Sequence, residues 1–197
     1  MADILVLYYS ATGSVRRLAD AVARGVESVD GMRARVRTVP KVAPVTEKTQ
    51  PAIPDDGAPY VEARDLAECV GLALGSPTRF GNMAAALKYF IDGLGPEWAR
   101  GTLAGKPAAV FTSTATMHGG QEATLISMML PLLHHGMVIV GVPYTEPELS
   151  STRSGGTPYG ATHVSGSAND RPMTDEESKL AFALGKRLAT LAKKIAP

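Results

Sequence analysis

The spacing of apolar residues changes sharply near the start of the chain. Residues 4–9 form a short continuous apolar run, which is typical of a strand covered on both faces of a sheet. Helical spacing then appears at Val15, Leu18, Ala19, Val22 and Val26. The pattern predicts a buried strand, a turn of small residues at 10–14, and an amphipathic helix.

The same two periods alternate along the rest of the chain. Residues 33–39 alternate polar and apolar side chains, which predicts a strand at an edge of the sheet. Further strands are predicted at 69–74, 106–112 and 136–140, and helices at 60–68, 83–91, 121–135 and from Thr174 onward. Two stretches, 40–64 and 141–173, show no clear period and are predicted to be long loops. Trp98 is also placed in a loop.

Five strands that alternate with helices define the fold class. Such alternation builds a parallel sheet with right-handed crossovers and helices on both faces. We therefore predict an α/β, doubly wound, parallel five-stranded sheet of order 2-1-3-4-5, with residues 1–197 as a single domain. In that order the loops after strands one, three and four converge at the carboxyl edge, where ligands of such sheets bind.

The loop at 10–14 has the chemistry of a phosphate site. It follows a strand and opens a helix, where backbone N–H groups and the positive end of the helix dipole meet. Ser10, Thr12 and Ser14 add hydroxyl groups. An ordinary turn, in which these hydroxyls only cap the helix, stays open. The loop has neither the Gly-x-Gly-x-x-Gly nor the Gly-Lys-Ser/Thr fingerprint, so a flavin mononucleotide phosphate suits it better than a dinucleotide or a Walker site.

Composition narrows the class of protein. The chain has 197 residues, of which 45% are hydrophobic and 20% charged, as expected of a packed domain. Its formal net charge of +1, without a run of Lys or Arg, argues against a dedicated nucleic-acid surface. The one cysteine, Cys69, lies in an apolar run and is predicted to be a core residue.

Targeting and metal-binding signals are weak throughout the sequence. The chain leads directly into its first strand, and no apolar stretch approaches the ~20 residues that span a bilayer, so we expect a cytoplasmic protein without a transmembrane segment. His134, His135 and His163 have no carboxylate or thiol at ligand spacing, so no metal site is predicted.

Five segments carry a resemblance that covers nearly the whole chain. They are residues 8–13, 77–82, 118–122, 134–140 and 155–161. In these segments the chain resembles the WrbA family of flavodoxin-like NAD(P)H:quinone oxidoreductases. The runs Pro-Thr-Arg-Phe-Gly-Asn and Gly-Gly-Thr-Pro-Tyr-Gly-Ala are the specific ones. The resemblance implies a flavodoxin-like fold and FMN bound without a covalent link.

The resemblance also implies which residues contact FMN. The phosphate would be held by Ser10, Ala11, Thr12, Gly13, Ser14 and Val15. The isoalloxazine ring would lie along Pro77, Thr78, Arg79, Phe80, Gly81 and Asn82. The opposite flank and the ribityl chain would be covered by Ser113, Thr114, Ala115, Thr116, Met117, His118 and Gly119. His134 would reach the flavin from its own or a neighbouring subunit, and Thr12 and Trp98 would contact the substrate. Simpler roles stay open for three of these residues: a surface ion pair for Arg79, a solvent-facing loop position for His118, and an oligomer interface for Trp98.

The implied activity is FMN-dependent, two-electron reduction of a quinone by NADH or NADPH. No catalytic side chain is expected, because flavin N5 carries the hydride. Since the chain has no dinucleotide fingerprint, nicotinamide and quinone would use the same space in turn, which predicts ping-pong kinetics. Family members are commonly dimers or tetramers, so a homodimer or homotetramer is expected.

Two other functions are alternatives to this one. A flavodoxin-type single-electron carrier protein would share the sheet, but such carriers are usually strongly acidic and lack long loops around the flavin. The balanced charge and the two long loops of this chain favour the reductase. A regulatory binding protein has little support, because the sequence carries no DNA-reading motif.

Overall fold

The protein is built on a twisted parallel sheet with helices on both faces. A computed structural model describes residues 1–42, 54 and 56–195. Its strands are β1 (Ala2–Tyr8), β2 (Met32–Thr38), β3 (Gly71–Pro77), β4 (Pro107–Thr114), β5 (Val138–Ile139) and β6 (Ala161–Val164). The main path runs β2-β1-β3-β4-β5, so the predicted doubly wound sheet of order 2-1-3-4-5 is confirmed.

The strand predicted at 136–140 is present but shorter, and the prediction of a long irregular region after it was wrong. Only Val138–Ile139 pairs there, with the first residues of β4. The second half of β4 pairs instead with β6, which lies inside the stretch 141–173 that was predicted to be a loop. The outer position of the sheet is thus shared by two short strands. Both strands are too short for their side chains to show a strand period in the sequence. They are defined only by their pairing with β4.

The helices are α1 (Ser14–Glu27), α2 (Ala63–Glu68), α3 (Ala85–Asp92), α4 (Gly95–Ala99), α5 (Gln121–His134), α6 (Glu148–Ser151) and α7 (Asp175–Ile195). Trp98 therefore lies on the short helix α4 and not in a loop. Cys69 ends α2 and precedes β3, and it is buried as predicted. Residues 43–53 and 55 of the predicted loop at 40–64 lie outside the described residues. No helix among the described residues is long and apolar enough to cross a membrane.

Both faces of the sheet are covered, as the apolar run at 4–9 predicted. Ile4, Val6 and Tyr8 contribute to a core with α1 and α7. Leu5 and Leu7 contribute to a second core with α3 and α5. Successive side chains of a strand point to opposite faces, so β1 anchors both layers. The pairing of β1 with β2 and with β3 holds its carboxyl end between these two strands.

The predicted edge strand is β2, which pairs only with β1 in the described sheet. Its three arginines meet carboxylates: Arg33 and Arg35 bind the buried Asp3, and Arg35 and Arg37 bind the buried Asp65. Hydrogen bonds from Arg33 and Arg35 lower the pKa of Asp3. Charged side chains on an edge discourage pairing with a further strand.

Candidate flavin site

The loops after β1, β3 and β4 meet around one cavity of about 200 Å³ at the carboxyl edge of the sheet. Eleven predicted FMN contacts line it: Ser10, Ala11, Thr12, Ser14, Val15, Pro77, Thr78, Arg79, Ser113, Thr114 and Ala115. Strand order explains the meeting, because β1, β3 and β4 are neighbours and their carboxyl ends share one edge. The convergence predicted from the sequence is therefore present.

The first loop presents backbone N–H groups at the start of a 14-residue helix. Gly13 has φ +91°, a conformation that favours glycine, and it turns the chain into α1. Ser10 Oγ accepts from Gly13 N–H at 3.1 Å, so this hydroxyl does cap the turn. Within the described structure, no acceptor faces the N–H groups of Ala11, Thr12, Ser14 and Val15. Donors of this kind suit a phosphate.

The second loop is a tight hairpin turn. Arg79 and Asn82 exchange backbone hydrogen bonds of 2.7 and 3.0 Å, and the two residues between them, Phe80 and Gly81, have φ of +52° and +77°. A positive φ is strained for a bulky residue such as Phe80, whose side chain is also fully exposed. Strain and exposure together mark this turn as a functional candidate.

Contacts to α5 hold the second loop in place. Thr78 Oγ1 lies 2.8 Å from Thr124 Oγ1, and Ser127 Oγ contacts Gly81 O at 3.1 Å. The backbone of the loop is thereby fixed on its outer side. Pro77, Thr78 and Arg79 are the residues of this loop that line the cavity.

The third loop continues from β4, which runs two residues further than predicted and includes Ser113 and Thr114. Thr114 Oγ1 donates to Thr116 O at 2.8 Å, and Gln121 Nε2 donates to Met117 O at 2.8 Å. These bonds hold the backbone of the loop, whereas the side chains of Met117 and His118 are exposed. Gly13, Phe80, Gly81, Asn82, Thr116, Met117, His118 and Gly119 adjoin the cavity along the chain but do not line it.

His134 and Trp98 lie at the other end of the sheet. His134 ends α5, and four residues later Val138 pairs with Pro107, the first residue of β4. The cavity is at the far end of β4, about 20 Å away along a 14-residue helix. Trp98 Nε1 donates to His134 O at 2.9 Å, so the two residues form one surface feature. Within one chain they do not join the cavity.

The sequence analysis missed one cavity residue, Asn169. It has φ +57° in the loop between β6 and α7, and its side chain lies 3.0 Å from Ser165 Oγ. Its position in a Gly-Ser-Ala-Asn stretch does indicate a turn. The sequence did not indicate that this turn reaches the cavity, because strand β6 was not predicted.

A buried hydrogen-bond network next to the cavity was also missed. His163 on β6 and Glu177 on α7 are fully buried, and His163 Nδ1 lies 2.7 Å from Glu177 Oε2. Burial alone would raise the pKa of Glu177, but hydrogen bonds from His163, from the N–H groups of Val164 and Thr174, and from Ser154 lower it to about 2. Since His163 pairs with Ser113 across the two strands, this network supports the cavity wall.

A larger depression is present elsewhere. A groove of about 780 Å³ follows the outer face of α7 and includes Phe182, Lys186 and Glu146. It contains none of the loops after β1, β3 and β4, where neighbouring strand ends meet at the switch in strand order. The smaller cavity is the better candidate because it combines helix N–H groups, hydroxyls and the switch in strand order.

Fold and cavity together define a flavodoxin-like, flavin-binding protein. Solved structures agree on the fold: a WrbA-like flavodoxin of Agrobacterium tumefaciens has a TM-score of 0.70 at 21% identity, with 98% of this chain and 99% of that chain covered. Flavodoxin 1 of Bacillus cereus has a TM-score of 0.61 at 16% identity, covering 96% and 98%. At these identities the likeness concerns the fold alone.

Sequence comparison identifies the family. The profile of the NADPH-dependent FMN reductase family matches residues 2–145, and the chain belongs to that family. A protein of Chromohalobacter salexigens named NAD(P)H dehydrogenase (quinone) is 45% identical over 206 residues, covering all of both chains. The predicted membership of the WrbA-type quinone oxidoreductases, the predicted enzyme class and the predicted FMN cofactor are confirmed.

Proposed function

We propose that this FMN-dependent NAD(P)H:quinone oxidoreductase uses one site in turn for its two substrates, in a ping-pong reaction. The observation that carries the proposal is the convergence of the loops after β1, β3 and β4 on a single cavity. Since the sequence has no dinucleotide fingerprint, NAD(P)H has no separate loop to bind. The nicotinamide must therefore leave before the quinone enters.

The residues of the cavity suit FMN in their donors. The N–H groups of Ala11, Thr12, Ser14 and Val15 would bind the phosphate, with Gly13 turning the chain into α1. Pro77, Thr78 and Arg79 would lie along the ring, and Ser113 to Ala115 along the ribityl chain. When bound, FMN supplies the chemistry by accepting a hydride from NAD(P)H and passing two electrons to the quinone.

The protein contributes positioning and charge. The second and third loops are held by residues of α5, and none of the described residues that line the cavity is a carboxylate. Among these described lining residues Arg79 carries a charge. Its side chain is exposed, and its Nη1 donates to Thr78 O at 2.7 Å. A positive charge at the mouth favours an anionic dinucleotide. Thr12 is exposed in the first loop, which supports a contact with the incoming substrate.

Steady-state kinetics test this proposal. Initial rates of the FMN-loaded protein are measured with NADH and benzoquinone varied together; parallel double-reciprocal lines are expected, and intersecting lines would contradict a shared site. In a second experiment without oxygen, NADH should bleach the flavin absorbance and benzoquinone should restore it. FMN binding without bleaching by NADH or NADPH, together with a long-lived radical spectrum on partial chemical reduction, would favour the single-electron carrier.

We further propose that a second copy of the chain covers the outer face of α5. Ile126, Leu130 and Leu133 on α5 are 46%, 59% and 54% exposed. Trp98, whose Nε1 donates to His134 O at the end of the same helix, is 57% exposed. Apolar surface on all sides of a helix is typical of a buried helix.

A homodimer or homotetramer through this face would explain how His134 and Trp98 could approach a flavin of a neighbouring subunit. Sedimentation at several concentrations tests the assembly: Leu130→Glu should shift the protein to monomer. Glu122→Gln on the same helix is the matched control and should leave the mass unchanged. A wild-type monomer at all concentrations would overturn the proposal.

A further inference from the structure

The first turn of α1 carries charges of the wrong sign for a helix start. Arg16 and Arg17 lie there, and the turn contains no acidic residue. In α7 the arrangement is the usual one, with Asp175, Glu176 and Glu177 at the start and Lys193 and Lys194 at the end. Cations near a helix N-terminus are unfavourable because the dipole is positive there. The cations of α1 therefore need anionic partners.

The two arginines differ in whether they have such a partner. Arg16 Nη1 binds Asp56 Oδ2 at 2.8 Å, and this hydrogen bond raises the pKa of Arg16. Arg17 has no carboxylate within ion-pair distance among residues 1–42, 54 and 56–195. The positive charge of Arg17 is thus uncompensated where the structure describes its surroundings.

The guanidinium of Arg17 is folded back against the first loop. Its Nη2 donates to Ser14 Oγ at 3.2 Å, and the same atom lies 3.5 Å from Arg171 O. Its Nη1 lies 3.7 Å from the point that a Cβ at Gly13 would occupy. In the described structure Nη1 and Nε of Arg17 make no hydrogen bond. The Nη1 and Nε donors of Arg17 therefore lie beside a loop in which the N–H groups of Ala11, Thr12, Ser14 and Val15 have no acceptor in the described structure either.

We propose that Arg17 is a phosphate-binding residue of the flavin site: it supplies the positive charge that pairs with the FMN phosphate, while the backbone of residues 11–15 supplies neutral donors. This inference rests on the proposed placement of the FMN phosphate at the first loop. A guanidinium offers planar N–H donors that match phosphate oxygens. Through its contact with Arg171 O, Arg17 would also link the loop between β6 and α7, which contains Asn169, to the phosphate position.

The test compares binding of FMN with binding of riboflavin, which lacks the phosphate. Flavin-stripped protein is titrated with each flavin and the quenching of flavin fluorescence is recorded. Arg17→Ala and Arg17→Gln should weaken FMN binding about tenfold to a hundredfold and leave riboflavin binding within about twofold. Arg17→Lys should fall between these variants and the wild type, because it keeps the charge without the planar fork.

Arg16→Ala is the matched control, since it removes the same charge from the neighbouring position. We expect it to change FMN affinity by less than about threefold, because Asp56 already compensates that charge. The affinity of the wild type for FMN should also fall more steeply with salt than that of Arg17→Ala. Circular dichroism checks that all variants are folded.

Different failures are distinguishable. Equal losses of FMN and riboflavin affinity in Arg17→Ala and Arg17→Gln would show that Arg17 only shapes the loop, and would overturn the inference. Equal losses of FMN affinity in Arg16→Ala and Arg17→Ala would overturn it as well, because the effect would then be general electrostatics. Wild-type protein that binds riboflavin as tightly as FMN would overturn the proposed phosphate position itself.

Discussion

Glu177 provides the sharpest test of the packing behind the cavity. Its carboxylate accepts hydrogen bonds from Gly155 N at 2.8 Å, Val164 N at 3.0 Å and Thr174 N at 2.9 Å. It also accepts from Ser154 Oγ at 2.8 Å and lies 2.7 Å from His163 Nδ1. The donors come from three separate segments, so one carboxylate joins the 154–155 turn, β6 and the start of α7.

Two arguments give the magnitude of its effect on stability. Removing a buried carboxylate that accepts several hydrogen bonds costs about 3–5 kcal/mol, because the remaining donors are left without acceptors. The pKa of Glu177 falls from an ordinary value of 4.5 to about 2. A shift of that size corresponds to about 3 kcal/mol at neutral pH. We therefore expect Glu177→Ala to lower the free energy of unfolding by about 3–5 kcal/mol.

The conservative variant Glu177→Gln should cost about 1–3 kcal/mol, since its amide keeps one oxygen acceptor but turns N–H groups toward the Thr174 N–H. Because the pKa is lowered in the folded protein, the stability from Glu177 is present above pH 4.5 and is lost as the pH falls toward 2. The difference between wild type and Glu177→Gln should shrink over that range.

Urea unfolding followed by far-ultraviolet circular dichroism measures both effects. Glu176→Gln is the matched control: it removes the same charge from the same helix turn, and Glu176 has no ion-pair partner in the described structure. Its expected cost is about 0.5 kcal/mol, from the helix dipole. A loss below about 1 kcal/mol for Glu177→Ala, or a difference between wild type and Glu177→Gln that stays constant from pH 7 to 3, would refute the reasoning.

Two more predictions concern packing and reactivity. Gly25→Ala and Gly185→Ala should each lower the melting temperature, at a cost of about 1–3 kcal/mol or more, because a Cβ would lie 2.0 Å from a backbone oxygen of the other helix in the α1–α7 contact. Gly95→Ala, where a Cβ would meet nothing within 4 Å, is the control; a drop equal to that of the other two variants would contradict the close-approach argument. The Cys69 thiol is 1% exposed and burial raises its pKa, so Ellman's reagent should react with it only after unfolding; fast labelling of the native protein at pH 8 would show that the thiol is accessible.

The parts of the site that the sequence predicted correctly depend on local patterns. Residues 4–9 and the spacing from Val15 to Val26 define β1 and α1 without reference to the rest of the chain, because burial on one helix stripe or on both strand faces leaves its own period. The Thr174–Glu177 capping pattern is local in the same way, and both of its reciprocal bonds are present.

The parts that were missed depend on distant partners. Strand β6 exists because Phe111 to Thr114 pair with it, and its four residues are too few to show a period. Asn169 reaches the cavity only because β6 delivers its loop to the carboxyl edge. The position of His134 also depends on the tertiary structure. The sequence could not show that it lies at the far end of α5, about 20 Å from the cavity in its own chain.

Arg16 and Arg17 illustrate the difference between what the sequence alone determines and what depends on the tertiary structure. The sequence by itself determined that both stand in the first turn of α1, next to a loop of small residues that follows a buried strand. Their side chains are chemically identical and adjacent, so no local rule separates them. The tertiary structure decided that Asp56, forty positions along the chain, pairs with Arg16, while Arg17 turns back toward Ser14. Charge compensation depends on distance in space, which the order of residues does not contain.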